Sequence, residues 1–458
     1  MKTYYVHQYR ILEGSTLMTL AEKLAALVQF KTVSFFDASL EDDSQFAGLL
    51  ATLPELFPVL HSHAERMVLG DRAVLYRLEG SDPTQKPVVL CAHFDVVPAQ
   101  DTHLWDEEPF GGAVRDGYLY GRGTQDIKVQ MTCQMEALEH LLASGKVFSR
   151  TIYLAYGGDE EIGGVRGAAR IAAWLEAQGI RAAMLLDEGS PVADGIIGFV
   201  QQPLALIGVA EKGYMDVILE ARGKGGHASM PPHHTALGVL ARAIVEIEEH
   251  PFPAKLTRTT REFLDALARL SRSPYRLIFR FRNLLAPLIL QAFTRMPSTN
   301  ALIRTTCAPT MASASQKENV LPDIARAVIN VRIMPGETSR EVLERLNSLT
   351  ARHGVSVHVS APEYVIEPSA ESSTSSEGWR MLVRALAISH PEASAVPFLF
   401  TAGTDTKHYH KIADDIYRFT PLIQTPADLN GVHNINERVS LSNLERCMRF
   451  YMSLLEQC

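Results

Sequence analysis

A histidine and an aspartate, His93 and Asp95, stand two residues apart in the stretch Leu90–Pro98 of this sequence. The apolar run Val88–Leu90 that precedes them is typical of a buried strand. Residues i and i+2 of a strand share a face, so the two side chains should leave the strand side by side. Histidines that bind metal ions often have a carboxylate next to the imidazole, on the side away from the metal. A buried histidine that hydrogen-bonds an aspartate in a turn gives the same sequence pattern.

Two later predicted strands also end in acidic side chains. Glu160 and Glu161 follow the apolar run Ile152–Tyr156, and Asp187 follows the run Ala182–Leu186. Strands that alternate with helices over short connections predict an α/β fold, with a mostly parallel sheet covered by helices on both faces. Ligands bind outside the carboxyl ends of the strands in such sheets, so these polar clusters should converge.

The converging side chains form a candidate set of metal ligands. Its members are His93, Asp126, Glu161, Asp187 and His433. Two imidazoles and three carboxylates suit zinc or a similar divalent ion, and one carboxylate can bridge two ions. Singly, each has an ordinary alternative: a helix cap for Asp126, a turn for Asp187, a structural histidine for His433. Glu161 could be a first-turn carboxylate. Their conjunction at successive strand ends favours the metal site.

The pattern of apolar and polar residues changes near residue 210. The stretch Tyr214–Ala221 alternates as a half-buried antiparallel strand does, and further helices and strands follow it. They predict an α+β lid domain with an antiparallel sheet, inserted in the larger domain. The predicted division is catalytic domain 1–209, lid or dimerisation domain 210–361 and catalytic domain 362–458. Residues 261–293 are helical and rich in Leu, Phe and Arg; packing within the lid is favoured over contact with a membrane.

Length and composition narrow the class of protein. The chain has 458 residues, 46% hydrophobic and 21% charged, which is typical of a globular protein of two or three domains. Its net charge of −8 gives no reason to expect a nucleic-acid partner. The five cysteines form no Cys-x-x-Cys pair, so neither a disulfide framework nor a thiolate zinc site is expected.

The N-terminal residues and the lengths of the apolar runs give an expectation for the cellular location of the protein. The first residues have no apolar core of a signal peptide, and no run is long enough to span a membrane. With scattered cysteines, this predicts a cytoplasmic protein. Residues 1–14 are predicted to be an extension.

Nine short motifs carry a resemblance to a known family. They are HFDVVPA, GRGTQDIK, DEEIGG, LLDEG, GGHAS, NALIRTT, NVRIMPG, GTDTKHY and GVHNINE. They run from about residue 88 to residue 437 and resemble the aminoacylase and carboxypeptidase S family, metallopeptidases with co-catalytic zinc ions. NALIRTT and the long insert resemble the branch of carboxypeptidase S and the N-fatty-acyl-amino-acid hydrolases.

The resemblance implies two Zn²⁺ ions, with Co²⁺ or Mn²⁺ as alternatives. His93 and Asp187 resemble the ligands of one ion, and Glu161 and His433 those of the other. Asp126 matches the carboxylate that bridges both ions, and the peptide bond after that residue is cis in the family.

It also implies catalytic roles. Glu160 matches the general base, which takes a proton from the attacking water and returns it to the leaving amine. Asp95 matches the residue that orients the His93 imidazole. His227 matches a histidine that contacts the tetrahedral intermediate, in some relatives from the partner subunit. The protein would therefore be a monomer or a homodimer through the lid.

Four further residues match substrate-binding positions of the family. Asn300 and Arg332 resemble the residues that hold the substrate's oxygens and free carboxylate, for which the Arg fork is suited. Gly403 and Thr404 resemble a loop near that carboxylate. A solvated strand position is the alternative for Arg332.

These matches predict a metal-dependent hydrolase of N-acyl amino acids or short peptides with a free C-terminal carboxylate. A dipeptidase or desuccinylase on the same scaffold is one alternative, and a catalytically inactive binding or scaffold protein is another. Nucleotide binding is disfavoured, because neither Gly-x-x-x-x-Gly-Lys-Ser/Thr nor Gly-x-Gly-x-x-Gly occurs.

Overall fold

The structure is a computed structural model and describes residues 18–458. The predicted N-terminal extension, residues 1–14, lies outside the described residues. The strands are β1 (Glu65–Val68), β2 (Ala73–Leu78), β3 (Val88–His93), β4 (Val114–Arg115), β5 (Tyr118–Tyr120), β6 (Ile152–Gly157), β7 (Met184–Ala193), β8 (Leu204–Glu211), β9 (Gly213–Arg222), β10 (Gly226–His227), β11 (Thr306–Ser313), β12 (Val320–Leu321), β13 (Ile324–Ile333), β14 (Ser356–Val359), β15 (Ser394–Phe400), β16 (Ile416–Gln424) and β17 (Arg438–Ser440). The helices are α1 (Leu20–Val28), α2 (Asp43–Leu56), α3 (Pro58–His63), α4 (Lys128–Ala143), α5 (Ala168–Ala177), α6 (Ala236–Glu249), α7 (Arg258–Leu270), α8 (Tyr275–Arg280), α9 (Arg282–Thr294), α10 (Pro297–Asn300), α11 (Ser339–Thr350), α12 (Glu377–Ser389), α13 (Pro426–Leu429) and α14 (Leu441–Leu455).

An eight-stranded sheet forms the larger part of the molecule, in the order β1-β2-β6-β3-β7-β16-β8-β15. Its central strands β6, β3, β7 and β16 are parallel to one another, and antiparallel pairings occur toward its edges. Strand β3 is buried on both faces: Val88 and Leu90 face the core that includes α4 and α14, while Val89 and Cys91 face the core that includes α5. The predicted α/β fold is confirmed, and its parallel strands end at one edge.

A second sheet, of four antiparallel strands in the order β11-β13-β9-β14, has a core of its own. Met215, Val217 and Leu219 of β9 alternate into that core, against α6 and α11. This is the antiparallel α+β lid that the sequence predicted. One residue, Lys212, separates β9 from β8 of the large sheet. The exact domain boundaries, 209/210 and 361/362, stay a prediction.

The helical insert lies differently from the prediction. Its residues Phe263, Leu264 and Leu267 pack with Leu206 and Leu399 of β8 and β15, in a core separate from that of the lid sheet. The same core includes Leu302, Ile303 and Met334 of the predicted lid range, so the expectation that the insert packs within the lid is only partly right. The physical reason is that β8 and β15 end the large sheet and present an apolar face that α7 covers. Within residues 18–458, no helix is both long and apolar enough to cross a membrane.

Candidate metal centre and substrate cleft

His93 is the last residue of β3, and its imidazole is held from behind by Asp95. The His93 Nδ1 atom lies 3.0 Å from the Asp95 carbonyl oxygen and 3.4 Å from its Oδ1. A hydrogen bond to that carbonyl requires Nδ1–H to donate, which leaves Nε2 as a free ligand atom.

The Asp95 carboxylate also holds the turn that follows β6. It is fully buried and accepts hydrogen bonds from the Ser34 hydroxyl at 2.7 Å and from the backbone N–H of Glu160 and Glu161 at 3.0 and 3.2 Å. Two strand ends are thereby tied together through one carboxylate.

The Asp126 carboxylate lies between two imidazoles. Its Oδ1 is 3.1 Å from His93 Nε2, and its Oδ2 is 2.9 Å from His433 Nε2. The Asp126–Ile127 peptide bond is cis, as the resemblance implied. His433 has a φ of 58°, in the left-handed region that residues other than glycine seldom adopt. One carboxylate that offers an oxygen to each of two sites is the arrangement of a bridging ligand.

Two groups of candidate ligand atoms share this aspartate. One is His93, Asp126 and Glu188, and the other is Asp126, Glu161 and His433; the atoms of each group lie within 4.8 Å of one another. Glu188 Oε1 is 3.5 Å from His93 Nε2, and Glu161 Oε1 is 3.3 Å from His433 Nε2. Nitrogen and oxygen donors of this kind suit zinc and other first-row divalent ions.

The carboxylate beside His93 belongs to Glu188, which corrects the prediction for Asp187. Asp187 is in register with Arg418 of β16, and the ladder between the two strands shifts directly after this pair. The Asp187 side chain is buried, and its Oδ1 accepts the backbone N–H of Glu188 at 2.9 Å. Neighbouring strand residues point to opposite faces, so Glu188 is the one that opens into the cleft.

The loop that carries Asp126 is held by a residue that the sequence argument overlooked, Glu437. This glutamate is fully buried. It accepts hydrogen bonds from the Arg122 guanidinium at 2.6 Å and from the backbone N–H of Gly123, Gln125 and Asp126 at 3.0, 2.7 and 3.2 Å. Glu437 could have been identified from the sequence, because it is the last residue of the GVHNINE motif.

The electrostatics of the cluster fit a site for cations. Burial raises the pKa of the Glu160, Glu161 and Glu188 carboxyls, and for Glu160 the nearby Glu188 raises it further. Hydrogen bonds to Asp126 and Glu161 raise the pKa of His433 to about 10. The buried Asp187 Oδ2 atom accepts no hydrogen bond within the part of the chain that the structure describes. Crowded buried carboxylates of this kind are stabilised by bound metal ions.

A cleft of about 960 Å³ joins the carboxylate cluster to the lid. Asp126, Glu160 and Glu188 line it from the sheet, and Lys212 and Arg332 line it at the lid. Apolar side chains line a further part of it, among them Phe36, Ile162, Tyr364, Ile366, Phe400, Leu429 and Val432.

Arg332 presents a cation to this cleft. Its guanidinium lies 4.8 Å from the centre of the Tyr214 ring, and its Nε donates to Asn330 Oδ1 at 3.4 Å. Among residues 18–458, no carboxylate forms an ion pair with it. An unneutralised guanidinium in a cleft is suited to bind an anionic group.

The sequence profile of peptidase family M20/M25/M40 matches residues 89–457 of the chain. The chain belongs to this family. It is therefore an enzyme of the hydrolase class.

Two similar proteins cover almost the whole chain. It is 36% identical to the mouse N-fatty-acyl-amino acid synthase/hydrolase PM20D1, over 96% of the chain and 88% of that protein. It is 34% identical to the probable carboxypeptidase S-like 2 of Dictyostelium discoideum, over 95% of the chain and 84% of that protein.

Solved structures show the same fold at much lower identity. The M20 family metallo-carboxypeptidase Sso-CP2 of Sulfolobus solfataricus has a TM-score of 0.67 at 16% identity, over 96% of this chain and 99% of that one. Human carnosine dipeptidase 1 has a TM-score of 0.63 at 17% identity, over 95% of each chain.

Three residues matched by resemblance to this family's substrate site do not reach the cleft in a single chain. Thr404 is buried and donates its N–H and hydroxyl to the Glu211 carboxylate at 3.0 and 2.9 Å. Asn300 ends α10 with its Oδ1 buried. His227 is exposed on β10, where Ser229 N–H donates to its Nδ1 at 3.1 Å. None of the three is among the described residues that line the cleft, whereas the predicted Gly403 is.

Two lysines line the cleft that the sequence argument did not single out. Burial opposes the charge on Lys407, but Asp405 and Glu160 outweigh it and raise its pKa. Burial, assisted by Arg332, lowers the pKa of Lys212 to about 7. Lys407 could have been found, because it stands in the GTDTKHY motif. Lys212 joins two strands and has no motif to mark it.

Proposed function

We propose that this protein is a metal-dependent amidohydrolase that cleaves N-acyl amino acids with a free carboxylate. The observation that carries the proposal is the Asp126 carboxylate, whose two oxygens face the imidazoles of His93 and His433. The unpaired Arg332 in the same cleft supports a substrate with an anionic end.

The proposed metal sites follow the two groups of ligand atoms. His93 and Glu188 would hold one ion, Glu161 and His433 the other, and Asp126 would bridge them. The donor set fits two Zn²⁺ ions, and also Co²⁺ or Mn²⁺. Bound ions of this kind supply Lewis acidity and lower the pKa of water.

Glu160 is proposed to move the proton. It lines the cleft beside the ligand set, and its raised pKa suits a carboxyl group that holds a proton in mid-reaction. Asp95 is a positioning residue, because it bonds to the Glu160 backbone and to Ser34 while it supports His93. The proton would pass from the attacking water to Glu160 and then to the leaving amine.

Two features favour an apolar acyl group. The cleft between Glu160 and the lid is lined by Ile162, Ile366 and Phe400, which offer surface to a hydrocarbon chain. Relatives at 34 to 36% identity include an N-fatty-acyl-amino acid synthase/hydrolase and a carboxypeptidase S-like protein. A dipeptidase or desuccinylase would need less apolar surface.

A substrate panel tests the proposal. Purified protein, stripped of metal and reloaded with Zn²⁺, Co²⁺ or Mn²⁺, is assayed on N-acyl amino acids of increasing chain length, dipeptides and N-succinyl amino acids. We expect the highest kcat/KM for long acyl chains. Preference for dipeptides or succinyl compounds would establish one of the alternatives, and no turnover of any amide would contradict the proposal.

Arg332→Ala tests the carboxylate contact. Loss of a charge-assisted hydrogen bond should raise KM about 10- to 100-fold for an N-acyl amino acid and much less for its amide. Arg326→Ala is the matched control, because Arg326 lies on the same strand and pairs with Glu220. Equal losses on acid and amide would rule out this role for Arg332.

Two expectations about association go with the proposal. We retain a monomer or a homodimer through the lid as the expected states. The small-molecule substrate is the expected partner.

A further inference from the structure

Helices α8 and α9 leave a line of large apolar side chains in solvent. Leu277, Phe281, Leu284 and Leu288 are 51, 52, 79 and 62% exposed. They are spaced i, i+4, i+7 and i+11, which places them along one side of a nearly continuous helical segment. Contiguous exposed apolar surface of this kind marks an interaction site.

The opposite side of the same segment is already used. Phe279 and Ile289 are buried in the core against β8 and β15, and the ring of Tyr275 stacks on Phe199 at 4.5 Å. Packing within the molecule therefore fixes which side of α8 and α9 faces out.

The segment that carries the exposed line is rich in arginine. Residues 266–317 contain no Asp or Glu, although the whole chain has a net charge of −8. Six arginines fall within residues 266–300: Arg269, Arg272, Arg276, Arg280, Arg282 and Arg295. Arg282 pairs with Asp265. Within residues 18–458 no carboxylate forms an ion pair with the other five, and all five are exposed. The surface combines apolar side chains with unneutralised positive charge.

We propose that this α8–α9 surface, defined by Tyr275–Leu288 and the arginines around it, docks the protein on an anionic lipid bilayer. The apolar line would enter the boundary between headgroups and acyl chains, and the guanidiniums would contact lipid phosphates. The inference does not depend on the proposed function, because it rests on a surface formed by different residues.

Charge argues against two other occupants. A second copy of the chain, docked through the same surface, would bring two arginine-rich patches together. Residues 1–17 carry two basic and one acidic residue and so offer no excess of negative charge. An anionic bilayer offers hydrocarbon to the apolar side chains and phosphate groups to the arginines.

Vesicle co-sedimentation with the full-length protein tests the proposal. The probes are phosphatidylcholine vesicles with and without phosphatidylglycerol. We expect binding to the anionic vesicles, weakened by salt. Leu284→Ser/Leu288→Ser should lower the partition coefficient on the order of 100-fold, since a buried leucine contributes about tenfold or more. Arg276→Gln/Arg280→Gln should lower it about 25-fold, at about fivefold for each charge.

Matched controls lie elsewhere on the surface. Leu237→Ser changes an exposed leucine of α6, and Arg340→Gln an exposed arginine of α11. Neither should alter vesicle binding, and circular dichroism should show all variants folded. Failure of the unaltered protein to bind anionic vesicles would overturn the proposal. So would binding that persists in Leu284→Ser/Leu288→Ser, or sedimentation velocity showing that this pair disrupts a dimer while vesicles are not bound.

Discussion

The sheet side and the lid side of the cleft were assembled in different ways. On the sheet side, His93, Glu160 and Glu188 meet within one chain, because the parallel strands β3, β6 and β7 bring them to a common edge of the sheet. On the lid side, Arg332 reaches the cleft but His227 does not. Parallel strands are sufficient to bring the side chains at their ends together. Whether residues of an inserted domain contact the cleft depends on the orientation of that domain and on any second copy of the chain.

The strongest test of the sheet side is Asp126→Ala. If Asp126 bridges two ions, both lose a ligand, so both should leave together and turnover should fall by on the order of 10³-fold or more. Elemental analysis and steady-state kinetics measure the two effects. Asp116→Ala, at an exposed aspartate, is the control. One ion retained at full occupancy would contradict the bridge.

Glu160→Ala separates catalysis from metal binding on the same side. Turnover should fall about 10²- to 10⁴-fold, the usual contribution of a general acid–base, while both ions remain bound. Glu161→Ala is the comparison, since it should lose an ion. Near-normal kcat in Glu160→Ala would mean that another residue accepts the proton.

His227→Ala examines the lid side. If this histidine contacts the transition state, kcat should fall about 10²- to 10³-fold with little change in KM or metal content. Because His227 lies outside the cleft of its own chain, we expect it to act on a second copy. Mixing His227→Ala with Glu160→Gln should then restore activity. A mixture as inactive as its components would count against action between copies.

The smallest effects are expected for two substitutions on β7, Glu188→Ala and Asp187→Asn. They test which of the two residues binds the ion at His93. Glu188→Ala should weaken the ion at His93 by at least about 10- to 100-fold, a loss seen even for residues behind the ligands. Asp187→Asn should keep both ions, because this side chain faces away from the cleft. Metal titration of both variants checks this, and the reverse order would restore Asp187 as the ligand.

The sequence by itself determined the large sheet and most of the candidate metal centre. Runs such as Val88–Leu90 are apolar throughout because both faces of the strand are buried, and polar residues at their ends mark the open edge. The motifs around His93, Asp126 and His433 predicted residues that the structure brings within hydrogen-bonding distance. The local sequence pattern was enough to predict this site, because the order and direction of the strands bring the polar residues at their ends together.

Tertiary structure alone decided between Asp187 and Glu188. Adjacent residues of a strand point to opposite faces, and a shift in the β7–β16 ladder sets which face meets the cleft. It also placed the helical insert on the large sheet and left His227 outside the cleft of its own chain. The physical reason is that the apolar pattern of a helix predicts which face is buried but not which element covers it, and only the assembled layers determine that partner.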